Sequence, residues 1–121
     1  MVLNPQAVLS AVVRAAEDKK AHDIVVLDIR GLSVIADYFV IASGQSKTHV
    51  QAIAGYVREK LEERGIRALR CEGLKEGSWV LLDYGDVVVH FFLDAERRFY
   101  NLERLWGDAK KVDVLVHTAG L

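Results

Sequence analysis

The chain has 121 residues, of which 51% are hydrophobic and 27% charged, and a formal net charge of −1. These values fit one globular domain and argue against a nucleic-acid binder held by bulk electrostatics, so we expect no direct DNA binding. The single Cys71 excludes an intramolecular disulfide and a zinc site built of several thiolates. The sequence shows no pattern of a membrane span or a signal peptide, so we expect a cytoplasmic protein.

The first part of the chain predicts one helix and two strands. Residues 4–20 predict a helix that begins after Asn4, a favourable N-cap residue. Residues 24–29 and 38–43 predict short strands with mostly apolar side chains. We expect these two strands to pair, because consecutive elements are usually neighbours.

A long amphipathic helix is predicted over residues 46–64, with Ser46 as its N-cap and Gly65 at its end. Residues 66–71 then predict a third strand. A strand, a helix and a strand in succession form a crossover, which predicts that the second and third strands are parallel.

The next elements are a hairpin and a helix. Apolar runs at 79–82 and 87–93 flank a turn that contains Gly85, which predicts a β-hairpin. Residues 95–106 carry an apolar stripe and predict a last helix.

The predicted order is α-β-β-α-β-β-β-α, which indicates an α/β protein with a mixed five-stranded sheet and flanking helices. We expect one domain over residues 1–110. Residues 111–121 form a C-terminal tail, either a short edge strand or a disordered end.

The histidines give no clear metal site, because none has a close-spaced partner of the H-x-x-x-H kind. They are His22, His49, His90 and His117. His90 alternates with Val88 and Phe92 on one strand, so these side chains share a face. Two interpretations of His90 stay open. It is a half-buried histidine bonded to a neighbour, or the base of a nucleotide-binding or hydrolytic enzyme, which would need Glu72, Asp83 or a similar carboxylate nearby.

Residues 43–46, Ser-Gly-Gln-Ser, lie between a predicted strand and a helix N-terminus, a place that can hold an anion. They are loosely similar to the Gly-Ser signature of nucleotidyltransferases, which also hold metal ions on two carboxylates spaced D-x-D along one strand. The nearby acidic pair, Asp83 and Asp86, has the wrong spacing and falls in a turn. Nucleotidyl transfer is therefore not favoured, although the sheet architecture can still be related.

The segment 72–96 combines negative charge with aromatic residues. It carries six acidic residues against Lys75 alone, a charge of −5 that leaves +4 for the rest of the chain. Trp79 is predicted to share a strand face with Asp83, near Tyr84. Aromatic residues beside carboxylates are typical of a protein-binding surface that attracts basic partners. A solvated hairpin tip and a second layer of core are the alternatives.

Three stretches of the sequence carry a family likeness: residues 37–46 (DYFVIASGQS), Glu72-Gly73 followed by residues 79–90 (WVLLDYGDVVVH), and residues 100–106 (YNLERLW). Together they closely resemble the Iojap family. These stretches follow one another with the usual spacing of the family, and the likeness runs from about residue 5 to residue 110.

The resemblance implies a protein without enzymatic activity, and from the residues we expect no cofactor and no metal site. Members of the family bind the large ribosomal subunit through its fourteenth protein, block joining of the small subunit and so repress translation when nutrients are short. The implied fold is a mixed α/β sheet related to nucleotidyltransferases without their active site. Family members also tend to form homodimers when free.

Together these observations favour a docking surface on the hairpin and the last helix. Its aromatic residues would supply contact area, and its acids would pair with Lys or Arg of the partner. The predicted protein-binding residues are Glu72, Trp79, Asp83, Tyr84, Asp86, His90, Arg98 and Tyr100.

Overall fold

The computed structural model describes residues 4–100 and 110–112, which form one mixed β-sheet with helices packed on it. The elements are α1 Pro5–Asp18, β1 His22–Asp28, β2 Tyr38–Gly44, α2 Lys47–Glu62, β3 Arg70–Glu72, β4 Trp79–Asp83, β5 Val87–Leu93, α3 Asp94–Tyr100 and β6 Lys110–Lys111. The α/β class and all five predicted strands are confirmed. The two-residue strand β6 extends the sheet beside β1.

The strands lie in the order β3-β4-β5-β2-β1-β6. The central pair, β2 and β5, is parallel, and every other neighbouring pair is antiparallel. Strands β2 and β3 therefore run in the same direction, as the crossover predicts, but β5 and β4 lie between them. No described helix is long and apolar enough to cross a membrane.

The helix boundaries follow the capping residues. The Asn4 side chain accepts a hydrogen bond from the backbone N–H of Gln6 at 2.9 Å, and Ser46 Oγ accepts one from His49 N–H at 3.0 Å. Gly65 follows α2 with a φ of 78°, the left-handed conformation that glycine adopts without steric cost. These three predictions are confirmed.

Strand β3 is shorter than predicted and begins at Arg70 instead of residue 66. Ile66 is buried in the core directly after α2 and does not join the sheet. Pairing begins where Arg70 meets Asp83, the last residue of β4. Of residues 66–69 only Ile66 is buried, whereas Leu69 is exposed, so this stretch is not a continuation of the strand.

The two faces of the sheet have different environments. Helices α1 and α2 pack on one face, which we call the helix side, and form the main core with residues such as Val80 and Leu82 of β4. The opposite face carries a second cluster that includes Phe92, with Trp79 packed against it. The alternation predicted for β4 is therefore confirmed. We call this second surface the aromatic face, and its aromatic residues are Phe39, Trp79, His90 and Phe92.

Some predictions concern residues outside the described ranges. The described part of the last predicted helix is α3, and its continuation to residue 106 lies outside them. Of the predicted tail, Lys111 pairs with Leu27 as an edge strand and Val112 donates its N–H to the carbonyl of Val26, while residues 113–121 lie outside.

Candidate protein-binding site

The aromatic face is assembled by strand register. Trp79 on β4 lies opposite Phe92 on β5, and their rings stack with centroids 4.9 Å apart. Phe39 on β2 contacts the His90 ring edge-on, also with centroids 4.9 Å apart. Because residues paired across neighbouring strands point to the same side, three strands supply one continuous aromatic layer. Trp79 and Phe39 are partly exposed, so the layer reaches the surface.

His90 lies inside this layer and is only 4% exposed. Its Nδ1 accepts a hydrogen bond from Trp79 Nε1 at 3.1 Å. A neutral imidazole that accepts at Nδ1 carries its proton on Nε2, and this atom is buried without a hydrogen-bond partner among the described residues. Burial lowers the pKa of His90 to about 4, so the ring is neutral at pH 7.

This environment does not supply a catalytic pair. Within residues 4–100 and 110–112, no carboxylate hydrogen-bonds to His90. The two carboxylates that the enzyme hypothesis requires are engaged elsewhere: Asp83 accepts the N–H of Gly85 at 2.8 Å, and Glu72 pairs with Arg70. The arrangement instead matches the other interpretation, a histidine held by a neighbouring side chain.

The acidic residues form a rim beside the aromatic face. Arg70 lies 2.9 Å from Glu72 and 3.5 Å from Asp83, so one guanidinium joins both carboxylates. Arg70 lies just before the segment 72–96 and was not counted in its charge of −5. That value therefore overstates the excess of negative charge at this edge of the sheet. Asp86 is exposed at the hairpin turn, where its backbone carbonyl accepts two N–H groups from the start of β2.

Tyr84 does not lie on the aromatic face with Trp79, and its predicted role in binding stays a prediction. Tyr84 follows the last residue of β4 and packs against the helix-side core. Its hydroxyl is buried with no hydrogen-bond partner among the described residues, and burial raises its pKa to about 12. The cause is the alternation along β4: Tyr84 lies five residues after Trp79 and therefore points to the same side as Val80 and Leu82.

Helix α3 lies at the far end of the aromatic face. Arg97 donates a hydrogen bond to Ser43 Oγ at 2.8 Å. Arg98 is exposed and borders a pocket of about 660 Å³. The side chain of Tyr100 lies outside the described residues, so its predicted role stays a prediction.

Two groups of residues are not indicated by any local sequence pattern. The first is Phe39, which joins the aromatic face only because β2 and β5 are neighbours, and no local signal predicts that pairing. The other group is His22, Asp23 and Asp94, whose potential ligand atoms all lie within 4.8 Å of one another. Asp94 is 72 residues from His22 in the chain, so no spacing motif could reveal the group.

Comparisons with known proteins give one consistent picture. Residues 3–119 match the family described as "Ribosomal silencing factor during starvation". The chain is 47% identical over 112 residues to "Ribosomal silencing factor RsfS" of Bacillus subtilis, covering 93% of this chain and 95% of that protein. It is 31% identical over 101 residues to "Mitochondrial assembly of ribosomal large subunit protein 1" of Mus musculus, covering 81% of this chain and 44% of that protein. A crystal structure from Chromobacterium violaceum has a TM-score of 0.85 at 38% identity, covering 94% of each chain.

Proposed function

Since this chain belongs to the ribosomal silencing factor family, we propose that it represses translation by docking on the large ribosomal subunit. The docking partner is the fourteenth protein of that subunit, whose surface also bridges to the small subunit. Occupying this surface prevents the two subunits from joining by steric exclusion. The mechanism requires no catalytic residue.

The aromatic face is the observation that carries this proposal. Trp79 and Phe39 are partly exposed, and both contact a layer that is otherwise buried. Large amphipathic rings on a rigid base supply contact area at a low cost in conformational entropy, which is why they dominate binding energies at interfaces. The hydrogen bond to His90 holds the Trp79 ring in place before a partner arrives.

The acidic rim supports a basic partner. Glu72, Asp83 and Asp86 lie at the edge formed by β3, β4 and the hairpin turn. A ribosomal protein surface that carries Lys and Arg would be attracted to these carboxylates before contact, which raises the association rate. Arg70 partly neutralises two of the acids, so Asp86 is the most suitable single position to test this attraction.

The direct test is co-sedimentation of the purified protein with large subunits, followed by a joining assay with small subunits. We expect the protein to travel with the large subunit and to reduce the formation of joined ribosomes. Binding to the small subunit alone, or normal joining at saturating protein, would contradict the proposal.

A matched pair of charge reversals tests the position of the docking surface. Asp86→Lys changes the exposed hairpin turn, and Glu59→Lys makes the same charge change on the exposed surface of α2. We expect Asp86→Lys to slow association with large subunits several-fold, more strongly at low salt, and Glu59→Lys to have little effect. Equal effects of both variants would indicate a response to net charge alone.

We also propose that the free protein is a cytoplasmic homodimer. A monomer with a partly exposed aromatic face has apolar surface available for a second copy. Light scattering of the free protein should give twice the mass of one chain. Cell fractionation, which tests the location, should recover the protein in the fraction that contains the ribosomes. A monomeric mass across the accessible concentrations would exclude the dimer without affecting the docking proposal.

A further inference from the structure

We propose that His22, Asp23 and Asp94 form a binding site for a divalent transition-metal ion such as Zn²⁺ or Mn²⁺. One imidazole nitrogen and two carboxylate oxygens lie within 4.8 Å of one another. This site is separate from the interactions of Trp79 and His90 and does not rest on the proposed ribosome docking.

The sheet register brings the first and last of these residues together. His22 begins β1 and pairs with Ser43 on β2, while Leu93, directly before Asp94, pairs with Gly44 on the other edge of β2. His22 and Asp94 therefore flank the same end of β2. Their side chains meet, with Nε2 of His22 lying 2.8 Å from Oδ1 of Asp94.

A backbone irregularity adds the third ligand. Consecutive residues of a regular strand point to opposite faces, so His22 and Asp23 would normally diverge. The register of β1 shifts between His22 and Val25, and Asp23 has a φ of 51° in the left-handed region. Such a bulge changes the direction of a side chain, and here the Asp23 carboxylate joins the other two ligand atoms.

The donor set indicates the class of ion. Imidazole nitrogen with carboxylate oxygen suits Zn²⁺ and Mn²⁺, whereas Mg²⁺ and Ca²⁺ prefer oxygen ligands alone. With metal–ligand bonds of about 2.0–2.2 Å, adjacent ligands of one ion lie about 3 Å apart. The distance of 2.8 Å between His22 and Asp94 is close to this value. The ion would take the place of the hydrogen bond between these two side chains.

The surroundings leave coordination positions open. Asp23 and Asp94 border the pocket of about 660 Å³, so water or a further ligand can reach an ion held there. The same pocket is bordered by Arg97 and Arg98. Arg97 is tied to Ser43, whereas Arg98 is exposed, so the charge of Arg98 can be removed without breaking a described contact. This charge opposes a bound cation.

Calorimetric titration of the chelator-treated full chain with Zn²⁺ and Mn²⁺ tests the site. We expect one ion per chain with micromolar affinity and no comparable binding of Mg²⁺. His22→Gln and Asp94→Asn should each weaken binding about tenfold or more, because each removes a ligand. His49→Gln, which changes a histidine outside the site, should leave the affinity unchanged.

Two further variants separate metal binding from structural damage. Asp23→Asn leaves the His22–Asp94 pair intact, and Asn tolerates the left-handed backbone, so the protein should fold and still lose affinity. Arg98→Ala should tighten binding several-fold by removing the opposing charge. No heat of binding, or equal affinity in the wild type and in Asp23→Asn, would overturn the proposal and leave His22 and Asp94 as a structural ion pair.

Discussion

Trp79 donates a hydrogen bond across the β4–β5 ladder to Nδ1 of His90, 3.1 Å away. The bond joins a partly exposed residue of the proposed docking surface to one that is almost fully buried. It also fixes the proton of the neutral imidazole on Nε2. The orientation of the surface tryptophan therefore depends on the protonation state of a core residue.

The first prediction concerns the pH dependence of stability. The pKa of His90 is lowered from 6.5 to about 4 in the folded chain by burial. Since the unfolded chain binds this proton more tightly, protonation favours unfolding. The stability that the chain gains by holding His90 neutral is fully present above pH 6.5 and is lost as the pH falls toward 4. We expect a loss of up to about 3 kcal/mol in the free energy of unfolding, measured by urea denaturation between pH 7 and pH 4.5.

His90→Gln provides the matched control, because its amide oxygen can still accept the Trp79 N–H but does not titrate. This variant is expected to lose less stability than the wild type over the same pH interval, whatever its stability at pH 7. If the two proteins show parallel pH profiles, His90 is not responsible for the acid sensitivity.

The second prediction concerns Gly73, which begins the loop before β4. Gly73 has a φ of 82°, and a Cβ atom placed there would overlap the carbonyl oxygen of Trp79. Gly73→Ala therefore combines a left-handed backbone with a steric clash. We expect it to lower the free energy of unfolding by about 3 kcal/mol or more.

Gly31→Ala isolates the backbone contribution, since Gly31 has the same φ of 82° but open space around its Cα. We expect this control to cost only about 1 kcal/mol. Equal losses in both variants would mean that the loop at residue 73 moves away from Trp79 without penalty.

The sequence predicted the elements that depend on local signals. The caps at Asn4 and Ser46 and the alternation of Trp79 with Val80 are properties of neighbouring residues, and all are present in the structure. The class of sheet followed from the order of the elements. The length of β3 was overestimated because the ladder with β4 begins only at Arg70, although Ile66 and Leu69 are apolar.

The candidate site was predicted only in part, because its assembly depends on contacts between distant segments. The parallel pairing of β2 with β5 brings Phe39 to His90, and no local pattern encodes that pairing. The opposite placement of Tyr84 and Trp79 follows from the alternation along β4, which proximity in sequence and composition alone do not show. Composition can indicate that aromatic residues are available, but it does not indicate which of them share a surface.

The third prediction concerns the hydroxyl of Tyr84, which is buried without a partner among the described residues. Tyr84→Phe removes this polar group and keeps the ring, so the free energy of unfolding should be unchanged or rise by up to about 1 kcal/mol. In a spectroscopic pH titration, the variant should lack the phenol whose pKa burial raises to about 12. A loss of more than about 1 kcal/mol would indicate that the hydroxyl makes a stabilising bond, for example to water.

The last prediction contrasts the two faces of the sheet in ribosome binding. Trp79→Ala removes the main aromatic contact of the proposed surface and should weaken binding to large subunits by about 2 kcal/mol or more. Trp79→Phe keeps an aromatic ring but loses the hydrogen bond to His90, so a smaller loss is expected. Tyr84→Phe lies on the helix side and should bind normally. All three should be compared by co-sedimentation at equal salt, after circular dichroism has verified folding. If folded Trp79→Ala binds like the wild type, the aromatic face is not the docking surface.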